Sequence, residues 1–99
     1  MKPNEKPQYK IILPNSGIGH KEIKNLYKRR KEQVIRAISK LEKSPTDFTL
    51  KGIEKLQNSE LGGYSIRISK GDRIFYDVDQ KQRTVYLLRA GKHDLYRFS

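Results

Sequence analysis

Residues 64–96, YSIRISKGDRIFYDVDQKQRTVYLLRAGKHDLY, decide how this chain is read. Apolar side chains alternate through Tyr64, Ile66 and Ile68, and again through Ile74, Tyr76 and Val78, the period of a strand with one buried face. Between the two runs, Ser69–Asp72 reads as a hairpin turn, with Gly71 suited to positive φ. Asp79–Gln82 is a second polar turn, and Thr84–Arg89 is a third strand whose two apolar faces suit a central position and leave its facing ambiguous. Ala90 and Gly91 then leave the sheet, and residues 92–99 form a polar tail. Because side chains alternate across a sheet, Arg67 and Arg73 point away from the apolar face. Two cations on one face, near His93 and Tyr96 beyond the third strand, suggest a site for phosphate chemistry.

The residues before this stretch supply what the sheet needs to be covered. Residues 1–7 are polar with two prolines and read as a loose leader. Residues 8–13 (QYKIIL) form a short strand with Tyr9, Ile11 and Leu13 on one face, ended by Pro14. Asn15 or Ser16 can cap a following helix. From Gly19 to Lys43 the spacing becomes helical: Ile23, Leu26, Tyr27, Val34, Ala37, Ile38 and Leu41 fall on one stripe. A helical hairpin broken near Lys28–Lys31 fits a small domain better than one long helix. The basic run at that break is either a solvated face or a contact for RNA. Ser44-Pro45 stops the helix, and Thr46–Gly63 is a connector.

Composition narrows the class. The 99 residues are one domain's worth, and the net charge of +11 favours a polyanionic partner. Without cysteine there is neither a disulfide nor a thiolate metal site, and two histidines lacking metal-binding spacing give no metal centre. No apolar run is long enough for a signal peptide or a membrane span, so a soluble cytoplasmic protein without a membrane partner is expected.

RNA can be cut without a metal when its own 2′-OH is the nucleophile. Such a site needs a base for that hydroxyl, cations for the charge gathering on the phosphorane, and an acid for the leaving 5′-oxygen. His93 suits the acid, since imidazole titrates near neutral pH. Arg67 and Arg73 suit phosphate oxygens, Glu54 suits the base, and Tyr96 could stack on or hydrogen-bond to a nucleotide. A structural reading stands beside each. The arginines could pair with Asp77, Asp72 or Glu60 across strands. Glu54 could balance its lysine-rich surroundings, His93 could be a surface residue, and Tyr96 an apolar lid.

Leu61, Gly63, Tyr64, Ile66, Arg67, Ile68, Asp72, Arg73, Ile74, Tyr76 and Val78, followed by VYLLRAGKHDLYR at 85–97, resemble the RelE superfamily of toxins from bacterial toxin–antitoxin systems. The likeness is strongest over residues 54–97 and extends more weakly to the first strand and the helices. It implies an α+β, microbial-RNase-type fold: a twisted antiparallel sheet of about four strands packed on two N-terminal helices, in one domain spanning 1–99. It also implies a ribosome-dependent mRNA endonuclease that needs no cofactor, with an antitoxin protein, the ribosome and mRNA as partners. Arg67 and Arg73 match cationic site positions, and Glu54 stands where YoeB-like members have their base. Ser65 stands where RelE itself has a lysine. His93 resembles the tail histidine of YafQ-type toxins and Tyr96 the tail tyrosine, with a spacing one residue shorter, so either His93 or Lys92 faces the site. Lys51, Lys55, Arg89, Lys92 and Arg97 are then the RNA phosphate anchors. The competing branches are a ParE-like toxin acting on DNA gyrase and a non-catalytic RNA-binding or regulatory member.

Overall fold

The computed structural model describes residues 8–57 and 61–92. Its elements are β1 (Lys10–Ile12), α1 (Gly17–Arg29), α2 (Lys31–Lys43), β2 (Ile53–Lys55), β3 (Tyr64–Arg67), β4 (Arg73–Asp79) and β5 (Thr84–Gly91). The helical stripe does break where expected, at Arg30, the residue that closes α1 and opens α2. Ser16 precedes α1 in extended conformation but makes no side-chain cap hydrogen bond.

The result is an α+β fold with one five-stranded sheet in the order β1-β5-β4-β3-β2. Two features differ from the expected four-stranded antiparallel sheet. Strand β2 comes from the stretch read as connector; three residues are too few to display alternation. Strand β1 takes the edge of β5 that β4 leaves open and pairs with it in parallel, Ile11 opposite Val85. The apolar character of β5 on both faces is thus that of an inner strand. Ala90 and Gly91 stay within it, opposite Ile74 and Arg73.

Both helices cover one face. Ile23, Leu26, Val34, Ala37 and Leu41 meet Ile53, Ile66, Ile74, Tyr76, Val85 and Leu87 in a single core. Each valine, leucine or isoleucine among them, fully withdrawn from water, contributes on the order of 1.5–3 kcal/mol. Tyr76 lies at its centre, stacked on Tyr64 with ring centroids 5.7 Å apart, its hydroxyl donating to the Pro45 carbonyl at 2.7 Å. Burial pushes that hydroxyl's pKa up. Helix α1 sits close on β5 because Gly19 has no side chain: a Cβ there would come within 2.0 Å of the Leu88 carbonyl oxygen. Leu88 is the additional residue of a bulge, since Phe75 pairs with Arg89 and Tyr76 with Leu87.

The hairpin turn forms without positive φ at Gly71; among the described glycines that conformation belongs to Gly17, Gly52 and Gly62. Hydrogen bonds close it instead, from the Ile68 and Ser69 amides to the Asp72 carbonyl and from the Ser69 hydroxyl to the Asp72 carboxylate. Among the described residues no helix is long and apolar enough to cross a membrane.

Candidate active site

The second face of the sheet carries the alternate residues. Register places Glu54 opposite Ser65, Ser65 opposite Phe75, and Arg67 opposite Arg73. Leu56, Leu61 and Phe75 form a small apolar cluster on this face, separate from the main core. Beside it lies the polar group.

Arg67 and Arg73 do share this face, but their environments differ. Two like charges directly opposite each other repel, and here one is exposed while the other is buried with partners. Arg73 is 4% exposed. Its Nε donates to the Ser65 hydroxyl at 2.9 Å and its Nη2 to the Gly52 carbonyl at 3.0 Å. The same Nη2 lies 3.8 Å from Glu54 Oε1, an ion-pair distance rather than a hydrogen bond. The Glu54 side chain remains 45% exposed. The arrangement is an accessible carboxylate above a buried guanidinium, with the solvated Arg67 alongside.

Of the cross-strand ion pairs considered for these arginines, Asp72 and Asp77 are otherwise engaged. Asp72 lies 3.5 Å from Arg29 Nη2 and 3.8 Å from Arg30 Nε, tying the helix junction to the start of β4. Burial raises the Asp72 carboxyl, but the Ser69 hydroxyl and the Arg29 charge together bring it below its ordinary value. Two members of the basic run at the helix break therefore have a structural partner. Asp77 accepts the Gly63 amide at 2.6 Å. Glu60 lies outside the described residues.

The candidate anchors divide. Lys51 and Lys55 are exposed around β2, and Lys92 is exposed past β5, its ammonium above the Gly71 turn. Arg89 belongs elsewhere. Its Nε and Nη2 donate to the two Glu22 carboxylate oxygens at 2.7 and 3.0 Å, and the Ala90 amide donates to the same carboxylate at 3.2 Å. Burial raises the Glu22 carboxyl, and these hydrogen bonds with the Arg89 charge lower it net. His93, Tyr96 and Arg97 lie outside the described residues. Gly52 and Glu22 escaped the sequence reading, and Ser65 entered it only as the place of a missing lysine. For Ser65 the signal was present, a small hydroxyl in an apolar strand on the same face as Arg67. For the other two there was none, because a glycine carbonyl and a helix carboxylate announce no distant partner.

No protein-family profile matches the sequence, and no curated protein does. Solved structures do match in fold. The RelE–RelB complex of the archaeon Pyrococcus horikoshii OT3 superposes with TM-score 0.65 at 18% identity, over 88% of this chain and 97% of that one. YafQ of E. coli gives TM-score 0.62 at 20% identity, over 87% and 94%. The YoeB–YefM complex of Staphylococcus aureus gives 0.57 at 26% identity, over 86% and 97%. The fold of this chain is that of the RelE superfamily of toxins.

Proposed function

We propose that this chain is the toxin of a toxin–antitoxin pair and that it cuts mRNA in the ribosomal A site. The observation that carries the reading is the exposed Glu54 carboxylate set beside Arg67 and above Arg73, on the sheet face the helices leave. In the reaction Glu54 takes the proton of a ribose 2′-OH, and that oxygen forms a bond to phosphorus. The bond from phosphorus to the 5′-oxygen breaks as His93 protonates the leaving oxygen. The products are a 2′,3′-cyclic phosphate and a 5′-OH end. Arg67 supplies positive charge against the phosphorane, worth about a hundredfold or more in rate for one such group, and Arg73 stands 3.8 Å from the Glu54 carboxylate. Tyr96 orients the scissile nucleotide. Lys51, Lys55, Lys92 and Arg97 hold neighbouring phosphates, while Arg89 is engaged by Glu22 and is left out of this set. Phosphate anchoring releases counterions, so ribosome affinity falls steeply as salt rises.

The partner in this reading is an acidic antitoxin. Structural relatives form complexes with RelB and with YefM. A groove of about 270 Å³ between the helices and the end of β1, lined by Leu13, Pro14, Ile23, Tyr27, Val34 and Ile38, offers apolar contact with Lys24 at its side. Leu13 is 55% exposed there. An amphipathic helix with an apolar stripe and acidic flanks matches both the groove and the net charge of +11.

The test is a translating extract with a defined mRNA, read by primer extension. In-frame cuts that require translation establish the activity. An uncut message with inhibited gyrase supercoiling moves the chain to the ParE-like branch.

A further inference from the structure

We propose that Ser65 and Arg73 act as positioning residues for Glu54, and that Arg67 is the arginine that touches RNA. The inference rests on the reading of Glu54 as the base.

A phosphate oxygen must come within about 2.9 Å of a guanidinium nitrogen to accept a charge-assisted hydrogen bond. Arg73 is 4% exposed, and its Nε and Nη2 already donate to Ser65 and Gly52. Moving it to RNA would break one buried and one partly buried hydrogen bond and strip a desolvated cation of its partners, which is strongly unfavourable. Its surroundings suit holding instead. Ser65 is fully buried and lies directly opposite Glu54 across the β2–β3 ladder. Its hydroxyl fixes the plane of the guanidinium. That plane then meets the Gly52 carbonyl, two residues before Glu54, and the Glu54 carboxylate itself. The Gly52 carbonyl also accepts the Arg67 amide at 2.8 Å, so β2, β3 and β4 are tied at one atom. Gly52 adopts φ +97°, a conformation that side chains disfavour. Arg67 is exposed on the same face, across from Arg73, where a phosphate can reach it.

The test is a double-mutant cycle in single-turnover cleavage of mRNA on programmed ribosomes, using the full chain. Arg73→Ala removes a buried charge and can unfold β2, so Ser65→Ala carries the test. Ser65→Ala lowers the maximal rate about ten- to a hundredfold with unchanged half-saturation, the scale of a small misplacement. In a Glu54→Gln background the same change costs no more than about twofold, because the group it positions is gone. Arg67→Ala lowers the maximal rate about a hundredfold and keeps that effect in the Glu54→Gln background. Equal costs of Ser65→Ala in both backgrounds would overturn the proposal. Three-bond couplings of the Glu54 side chain give a readout without cleavage: one rotamer in the wild type, averaging in Ser65→Ala. If the wild type cuts nothing, the nuclease reading fails, and these couplings alone decide whether Ser65 and Arg73 hold Glu54; unchanged couplings would refute the holding.

Discussion

On β4, Ile74 and Tyr76 lie against the helices, while Arg73 and Phe75 lie on the other face of the same strand. All four are buried, but for different reasons. The helix side is an apolar core whose tyrosine hydroxyls have partners, Tyr76 donating to the Pro45 carbonyl and Tyr9 to Gln80. The far side buries a cation and satisfies it with a serine, a carbonyl and a carboxylate. An apolar residue of Arg73's volume would avoid the cost of desolvating charge. The place of Arg73 beside a half-exposed carboxylate is what the proposed chemistry would use on the far face, whereas the helix face holds the main core.

The sharpest way to break that contrast is to exchange the expected effects. Tyr76→Ala removes a fully buried ring and should cost about 3–5 kcal/mol in denaturant unfolding, a large share of a small domain's stability. Arg67→Ala, on the far face, should leave unfolding within about 0.5 kcal/mol of wild type. Its ribosomal cleavage should nevertheless fall about a hundredfold. Unfolding of the Arg67 variant would make that arginine structural. Tyr27→Glu, in the groove on the helix side, should weaken antitoxin capture about tenfold in titration calorimetry while cleavage is kept, the size of losing one partly buried aromatic contact. Equal affinity would remove the groove from the interface.

The smallest effect is electrostatic. The Glu22 carboxyl lies net below its ordinary value of 4.5, burial notwithstanding, because Arg89 and the Ala90 amide favour its charged form. A depressed carboxyl stabilises the fold fully above its unfolded pKa and loses that contribution as pH falls through the folded value. Glu22→Gln should therefore melt below wild type at neutral pH, and the gap should narrow as pH drops beneath 4.5. A gap that persists in acid would assign the effect to packing rather than charge.

Much of the fold was legible because alternation and helical spacing are local signals. Tyr64–Ile68 and Ile74–Val78 declared their buried face, and the stripe from Ile23 to Leu41 declared two helices. Strand β2 was not legible, being three residues of a lysine-rich connector that become a strand only by pairing with β3. The parallel seat of β1 was equally hidden, since register between distant strands leaves no local trace. For the site, the shared face of Arg67 and Arg73 followed from parity alone. Which of them is buried did not, because that depends on Ser65 across β3 and Gly52 across the sheet. Arg89 matched a phosphate anchor in type and place, yet its partner Glu22 sits 67 residues away in sequence.

The most direct measurement is single-turnover cleavage of mRNA on programmed ribosomes by wild type and Glu54→Gln, with melting followed on the same preparations. Wild type should cut within the A-site codon, leaving 2′,3′-cyclic phosphate ends. Glu54→Gln should cut about a hundredfold more slowly or worse while still melting as a cooperatively folded domain, as loss of a general base requires. Undiminished cleavage by Glu54→Gln would contradict the assignment of the far face as the catalytic one.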